Sequence, residues 1–201
     1  HYIYKGLGYE RTVFASQADN VIVVYLKASK KEELEFEISF DSQLSAKVFT
    51  VSQHEGIKGT VNELAAVIDG VEHEGIKPGL KAECRVLVET DGEVECGADK
   101  LSIDDATTAT LYISAATNFV NYRDVSGNPV QKNNQTLASV KGKSYSKLLK
   151  AHLKKYQEQY NRVSLSLPKS DASGLETDKR LAAFAGNPGD LDMVSLMMQY
   201  G

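Results

Sequence analysis

Over roughly the first 120 residues, apolar and polar side chains alternate with a period of two, which predicts strands that are packed on one face and wet on the other. The clearest run is 34–40, where Leu34, Phe36, Ile38 and Phe40 are separated by Glu35, Glu37 and Ser39. The same pattern predicts strands at 9–15, after Gly6-Leu7-Gly8, and at 21–26, after Asp19-Asn20. Further strands are expected at 60–68, 80–89, 93–101 and 110–119, and residues 1–4 are already strand-like. Asp91-Gly92 lies between two alternating segments, so 80–89 and 93–101 are expected to pair directly as a hairpin.

Beyond residue 118 the period is lost. Residues 118–135 are polar and read as a long loop, a length at which loops tend to carry function or move. A helix is expected over 144–161, because Leu148, Leu149, His152, Leu153, Tyr156 and Tyr160 recur at steps of three and four. Ser144 is its expected N-cap. Residues 163–167 return to period two, predicting a short strand ended by Pro168. A second short helix is expected from Glu176 or Thr177 through Phe184, and a third opening at Asp190 and carrying Leu191, Val194, Leu196 and Met197. The chain therefore reads as mainly β with a C-terminal α-helical segment: a portion of an antiparallel β-sandwich over 1–140 and a helical linker over 141–201.

Composition changes this picture little. With 201 residues, 42% hydrophobic and 25% charged, the chain can bury a core. A formal net charge of −4 gives no reason to expect a nucleic-acid partner. The charge is unevenly placed: Lys141, Lys143, Lys147, Lys150, Lys154, Lys155 and Arg162 face only Glu158 between 141 and 167. That stripe reads as the solvated face of an amphipathic helix, the alternative being a surface that attracts phosphate or an acidic neighbour. The longest apolar run, 21–26, is far short of the roughly twenty residues a membrane span needs. Any targeting segment would lie upstream of residue 1. In the expected hairpin register Cys84 and Cys96 lie three steps apart on opposite faces, which predicts two free, mostly buried thiols.

No catalytic residue emerges from the pattern. Asp104-Asp105 invites an acid/base reading, but adjacent side chains point apart, whereas working pairs face each other across roughly 5–10 Å; turn and N-cap chemistry is the expectation. His1, His54, His73 and His152 lack metal-ligand spacing, and His152 lies on the apolar helix face, where a hydrogen-bonded structural role is expected. No Gly-x-Ser-x-Gly elbow, phosphate-binding glycine loop or nucleophile with a base is present, so neither cofactor nor metal is expected. Asn134-Gln135-Thr136 is a glycosylation triplet of a kind that arises by chance. The residues best suited to a carbohydrate are Asn118, Asn121 and Tyr122, beside Arg123 and Asp124. Amides suit hydroxyl networks and an aromatic ring suits the apolar face of a sugar. The alternative is a loop bracing a neighbouring domain.

Three ordered blocks carry a resemblance. Tyr9-Glu10-Arg11-x2-Phe14-Ala15-Ser16-x2-Asp19-Asn20-Val21-Ile22-Val23 is followed by Ala115-Ala116-Thr117-Asn118-Phe119-x-Asn121-Tyr122. The third runs from His152 through Arg162-Val163 and Thr177-Asp178-x-Arg180-Leu181 to Gln199-Tyr200-Gly201. Together they resemble glycoside hydrolase family 95, the α-L-fucosidases, some of which act on α-L-galactosides. The resemblance implies an N-terminal β-supersandwich, a helical linker, an (α/α)6 barrel and a small C-terminal β domain. It implies inverting hydrolysis, with a Glu as general acid and a water activated by Asn side chains assisted by an Asp. All those groups belong to the barrel, which is expected to begin after Gly201, so none is carried over to a residue here. The implied partners are a fucosylated glycan, through the full-length enzyme, and the barrel itself; the implied location is periplasmic or secreted. The family's sandwich has a stretch ahead of Tyr2, so unpaired sheet edges inviting strand addition or oligomerisation are expected. The resulting expectation is a non-catalytic N-terminal and linker region. The alternatives are a free-standing carbohydrate-binding or scaffold module, and the corresponding part of a phosphorylase-like relative.

Overall fold

The computed structural model describes residues 1–58, 61–186 and 188–200. These form two compact units, 1–155 and 156–201.

In the first unit the predicted alternation becomes two antiparallel sheets. The larger has seven strands: β1 (Tyr2–Tyr4), β2 (Leu7–Ser16), β3 (Val21–Ala28), β5 (Ala46–Val51), β6 (Asn62–Asp69), β7 (Lys81–Thr90) and β10 (Thr108–Thr117), in the order β1-β2-β3-β10-β7-β6-β5. The smaller comprises β4 (Leu34–Ser39), β8 (Glu93–Cys96) and β9 (Lys100–Ala106), in the order β4-β9-β8. Period two divides each strand's side chains between two cores. On β7, Val86 and Val88 join Leu64, Leu111, Ile38, Leu101 and Ile103 in the core where the sheets pack face to face. Leu87, one step out of phase, joins Phe14, Val23 and Tyr112 beneath two helices. Those helices are α1 (Pro129–Val140) and α2 (Tyr145–Tyr160), which contribute Leu137, Val140 and Leu148 to the second core. The large sheet is thus covered on one face by strands and on the other by helices.

Several expectations need correction. Asp91-Gly92 does not join a hairpin, because β7 pairs with β6 and β10 while β8 pairs with β9. It is the corner where the chain leaves one sheet for the other. The Asp91 carboxylate accepts from the amides of Thr107 and Thr108 at the neighbouring crossing, at 2.9 and 2.8 Å. A Cβ at Gly92 would lie 2.4 Å from the Asp104 carbonyl oxygen, so only glycine fits this corner. Cys84 and Cys96 therefore lie in different sheets; both are free, but Cys96 is exposed and Cys84 only half-buried. The expected strand 93–101 is two strands, β8 and β9, turning at 97–99. Asp104 and Asp105 lie inside β9 and not at a turn. Asp105 has φ 52°, beside a register shift between Leu34 and Phe36, so this strand is bulged. β5 went unpredicted, and the start of the expected strand at Thr60 lies outside the described residues.

The polar stretch read as one long loop, 118–135, contains the first part of α1. Asn128 caps it, its side-chain oxygen accepting from the Gln131 amide at 3.1 Å, and Pro129 supplies the first helical residue. Its buried side chains include Asn133 and Asn134, so its inward stripe is partly polar and the apolar pattern never appeared.

The second unit begins within the last turns of α2. A 3-10 turn at Asp171–Gly174 is followed by α3 (Thr177–Phe184) and α4 (Leu191–Tyr200). The strand expected at 163–167 does not form: among the described residues no strand pairs with this segment. Instead the Leu167 amide donates to Ser195 Oγ at 3.2 Å. Arg180 Nε and Nη2 grip the two carboxylate oxygens of Asp190 at 2.8 and 2.9 Å, tying α3 to the start of α4. Gly201, which ends the third block of the resemblance, lies outside the described residues.

Candidate functional site

The three residues expected to suit a sugar occupy one loop, 118–127, at the C-terminal end of β10, and they play different parts there. Asn118 is buried. Its side-chain oxygen accepts from the Lys81 amide at 2.8 Å and its side-chain nitrogen donates to the Gly79 carbonyl at 2.9 Å. The amide is spent on holding the loop to the start of β7. Asn121 and Asp124 close a backbone bridge, and the Asn121 side-chain oxygen accepts from the Arg123 amide at 2.9 Å, a self-contained Asx turn. At its tip Tyr122 is 82% exposed, with the Arg123 guanidinium 5.0 Å from its ring centroid. The Ser126 hydroxyl and amide hold the Asp124 carboxyl below its ordinary 3.8.

A second loop, 70–80, lies alongside. The Gly70 amide donates to the Leu80 carbonyl at 3.0 Å, and His73 and Ile76 form a further bridge. A Cβ at Gly70 would lie 2.9 Å from that carbonyl oxygen, so the loop closes at this point only on a glycine. A Cβ at Gly79 would lie 3.6 Å from Val125 Cγ2 of the first loop. The arrangement offers an exposed aromatic ring, a guanidinium and amide groups on a rigid mount. It contains no pair of facing acids.

Sequence reasoning missed a charged cluster buried between the large sheet and α1. Arg85 Nη1 donates to Glu63 Oε1 and to Asn134 Oδ1, and Nη2 to Glu83 Oε1, each at 2.8 Å. Asn133 donates to Glu83 Oε2 at 3.0 Å and accepts from the Ser114 hydroxyl at 2.8 Å. His54 approaches Glu63 Oε2 with Nε2 at 3.6 Å. Its Nδ1 lies 2.8 Å from the Glu55 carbonyl oxygen. A carbonyl only accepts, so Nδ1 carries the hydrogen and a neutral His54 turns a lone pair toward Glu63. At 3.6 Å the two atoms are too far apart to share a hydrogen bond, and both are buried without a partner among the described residues. Burial pushes the Glu63 carboxyl above its ordinary 4.5 despite Arg85, and pushes His54 below its ordinary 6.5. Alternation hides it: Glu83 and Arg85 share a phase of β7 with Lys81 and Glu89, which reads as a wet face until α1 covers it. Enclosed on all sides, this cluster braces α1 and offers nothing to a substrate. His152 likewise packs in the interior layer, its ring stacked on Phe14 at 4.9 Å.

Among the described residues no group of three His, Cys, Asp or Glu side chains converges in a way that could hold a metal ion. No described helix is long and apolar enough to cross a membrane.

Residues 1–122 match the family model described as glycosyl hydrolase family 65, N-terminal domain, and residues 144–201 match the glycosyl hydrolase family 95 catalytic domain. The second match takes in the segment read as linker. Alpha-L-fucosidase 2 of Arabidopsis thaliana is 30% identical over 225 aligned residues, covering 100% of this chain and 26% of the plant protein. A probable alpha-fucosidase A of Aspergillus niger is 27% identical, covering 96% of this chain and 24% of the fungal one. A solved structure described as a putative kojibiose phosphorylase from human microbiome aligns with a TM-score of 0.44 and 12% identity, over 77% of this chain and 21% of that one. The chain thus spans about a quarter of the length of the curated relatives it matches.

Proposed function

This chain belongs to the family of glycosyl hydrolase family 65 N-terminal domains, and from that premise we propose that it is the framework region of a longer enzyme that hydrolyses α-L-fucosides with inversion. The observation that carries the reading is the order of the matches. A match to a glycosidase N-terminal domain precedes a match to the family 95 catalytic domain, and a plant fucosidase aligns along the whole chain. On this reading residues 1–140 are part of a supersandwich, 141–201 lead into an (α/α)6 barrel, and the acid and the water-activating groups lie in the barrel. The chain's own part is to support that barrel, in a periplasmic or secreted enzyme acting on a fucosylated glycan. The outer strands β1 and β5 of one sheet and β4 and β8 of the other are where a further strand or a second copy would add.

A second reading, a carbohydrate-binding module, draws on the exposed Tyr122. In either case Asn121 and Tyr122 would meet sugar while Asn118 holds their loop in place. Assaying the 201-residue chain and its full-length parent side by side on an aryl α-L-fucoside separates the readings. Turnover is expected only from the parent. Sugar release by the 201 residues alone would overturn the framework assignment, and a phosphate requirement in the parent would move it to the phosphorylases.

A further inference from the structure

We infer that His54 and Glu63 form a proton-operated latch that fastens the segment 52–58 to β6. The segment lies between β5 and β6 and is closed at its base, where the Val61 amide donates to the Ser52 carbonyl at 3.0 Å. Among the described residues, the polar groups of 53–58 otherwise bond only one another. The Ile57 amide donates to the His54 carbonyl at 3.1 Å, and His54 Nδ1 donates to the Glu55 carbonyl at 2.8 Å. Ile57 adds apolar packing against the second core, and a Cβ at Gly56 would lie 3.3 Å from Ala138 Cβ on α1. The polar hold on the segment therefore falls to the inward-turned His54 ring, whose Nε2 faces Glu63 Oε2.

That hold depends on a proton, by geometry and by charge. Nε2 and Oε2 are buried 3.6 Å apart with no hydrogen-bond partner among the described residues. Without a proton both are acceptors, so they repel, and the line between them is too short to take a third atom. Arg85 donates to both Glu63 and Glu83, so two carboxylates against one guanidinium leave one negative charge in excess, which is costly in a buried cluster. A single proton removes the excess and supplies the missing donor, on whichever of the two atoms it rides. The pair can then close to about 2.7–3.2 Å, the span of an ordinary hydrogen bond. Burial and the Glu83 carboxylate favour the proton on Glu63, against Arg85 on β7 and Lys141 just beyond α1. Burial, with Arg85 and Lys141, opposes a second proton on His54, while Glu55 on the segment itself favours it. From α1 the cluster is met by Asn133 and Asn134, which do not titrate. The latch is closed with one proton and opens when that proton leaves as pH rises.

Hydrogen–deuterium exchange of the full-length protein, read by mass spectrometry on peptides spanning 52–58 and 84–88, tests the latch independently of activity. Glu63→Gln sets an N–H opposite His54 Nε2 at every pH while its carbonyl still accepts from Arg85, so its latch stays closed. At about pH 5 the wild-type segment 52–58 is expected to exchange as in Glu63→Gln, and at about pH 8 about tenfold faster, the loss of one hydrogen bond. His54→Leu, which removes the acceptor, is expected to show no such step. The core strand peptide 84–88 is expected to show none in any of the three proteins. Three results would overturn the proposal: a wild type that matches Glu63→Gln at both pH values, a step that survives in His54→Leu, or a step shared by 84–88, which would be loosening of the whole fold. Comparing 52–58 with 84–88 needs only the wild type, so it decides between a local latch and none even if a variant fails to fold.

Discussion

Arg85 is the residue on which most of the buried polar structure turns, since its guanidinium donates to both carboxyl groups that the packed face of β6 and β7 places beneath α1. Replacing it with methionine keeps much of the volume but strands Glu63 and Glu83. We expect a loss of about 3–5 kcal/mol in urea unfolding, the cost of leaving buried charge unpaired. Glu63 gives the cluster a pH dependence of definite sign. Its folded form favours the proton, so its stabilisation is full below the ordinary 4.5 and is lost as pH rises through the raised value. His54 acts oppositely: its contribution is present above the ordinary 6.5 and is lost as pH falls through the lowered value. Glu63→Gln should therefore flatten the loss of Tm that sets in as pH rises above 4.5, while leaving the loss below 6.5 that His54 contributes. An unchanged loss on raising the pH would show that Glu63 does not hold a proton in the fold.

Among elements, α1 and α2 cover the large sheet through a few side chains, and their contributions are separable. Leu148 is fully buried in the second core, and its truncation to alanine should cost about 2–5 kcal/mol. Tyr156 and Tyr160, expected to pack the same helix, are partly exposed and stack on each other at 5.1 Å. Tyr156→Ala should accordingly cost less than Leu148→Ala when the two are compared by urea unfolding. At the start of α1, Asn128→Ala removes the cap and should cost about 1 kcal/mol. The boundaries of α3 were legible because its first-turn acid, Asp178, and its apolar positions agree, although Glu176 makes no side-chain capping bond. Those of α1 were not, because the helix buries asparagines against Glu83 and Ser114 in place of an apolar stripe.

For the whole molecule, the aryl α-L-fucoside comparison carries the largest consequence, because the described residues supply two sheets, a helical cover and two rigid loops, while the carboxylates that face each other across Arg85, Glu63 and Glu83, are buried. Most strand positions, and which side chains share a face, were legible in the sequence, since a period of two decides the faces whatever the strand pairs with; β5 and the break between β8 and β9 were not. The family was legible as well, in three ordered blocks that survive as linear text. Pairing was not. Asp91-Gly92 has the composition of a hairpin turn, and only the competing partners of β7 made it a crossing between sheets. The candidate site divides in the same way. Asn118, Asn121 and Tyr122 were legible as polar and aromatic residues on one loop, but which of them is spent on the fold depended on Lys81 and Gly79 arriving beside it, some forty residues earlier in the chain. Local periodicity is written in neighbouring residues, whereas pairing and the satisfaction of buried polar groups are contests among distant segments, decided only when the chain is packed.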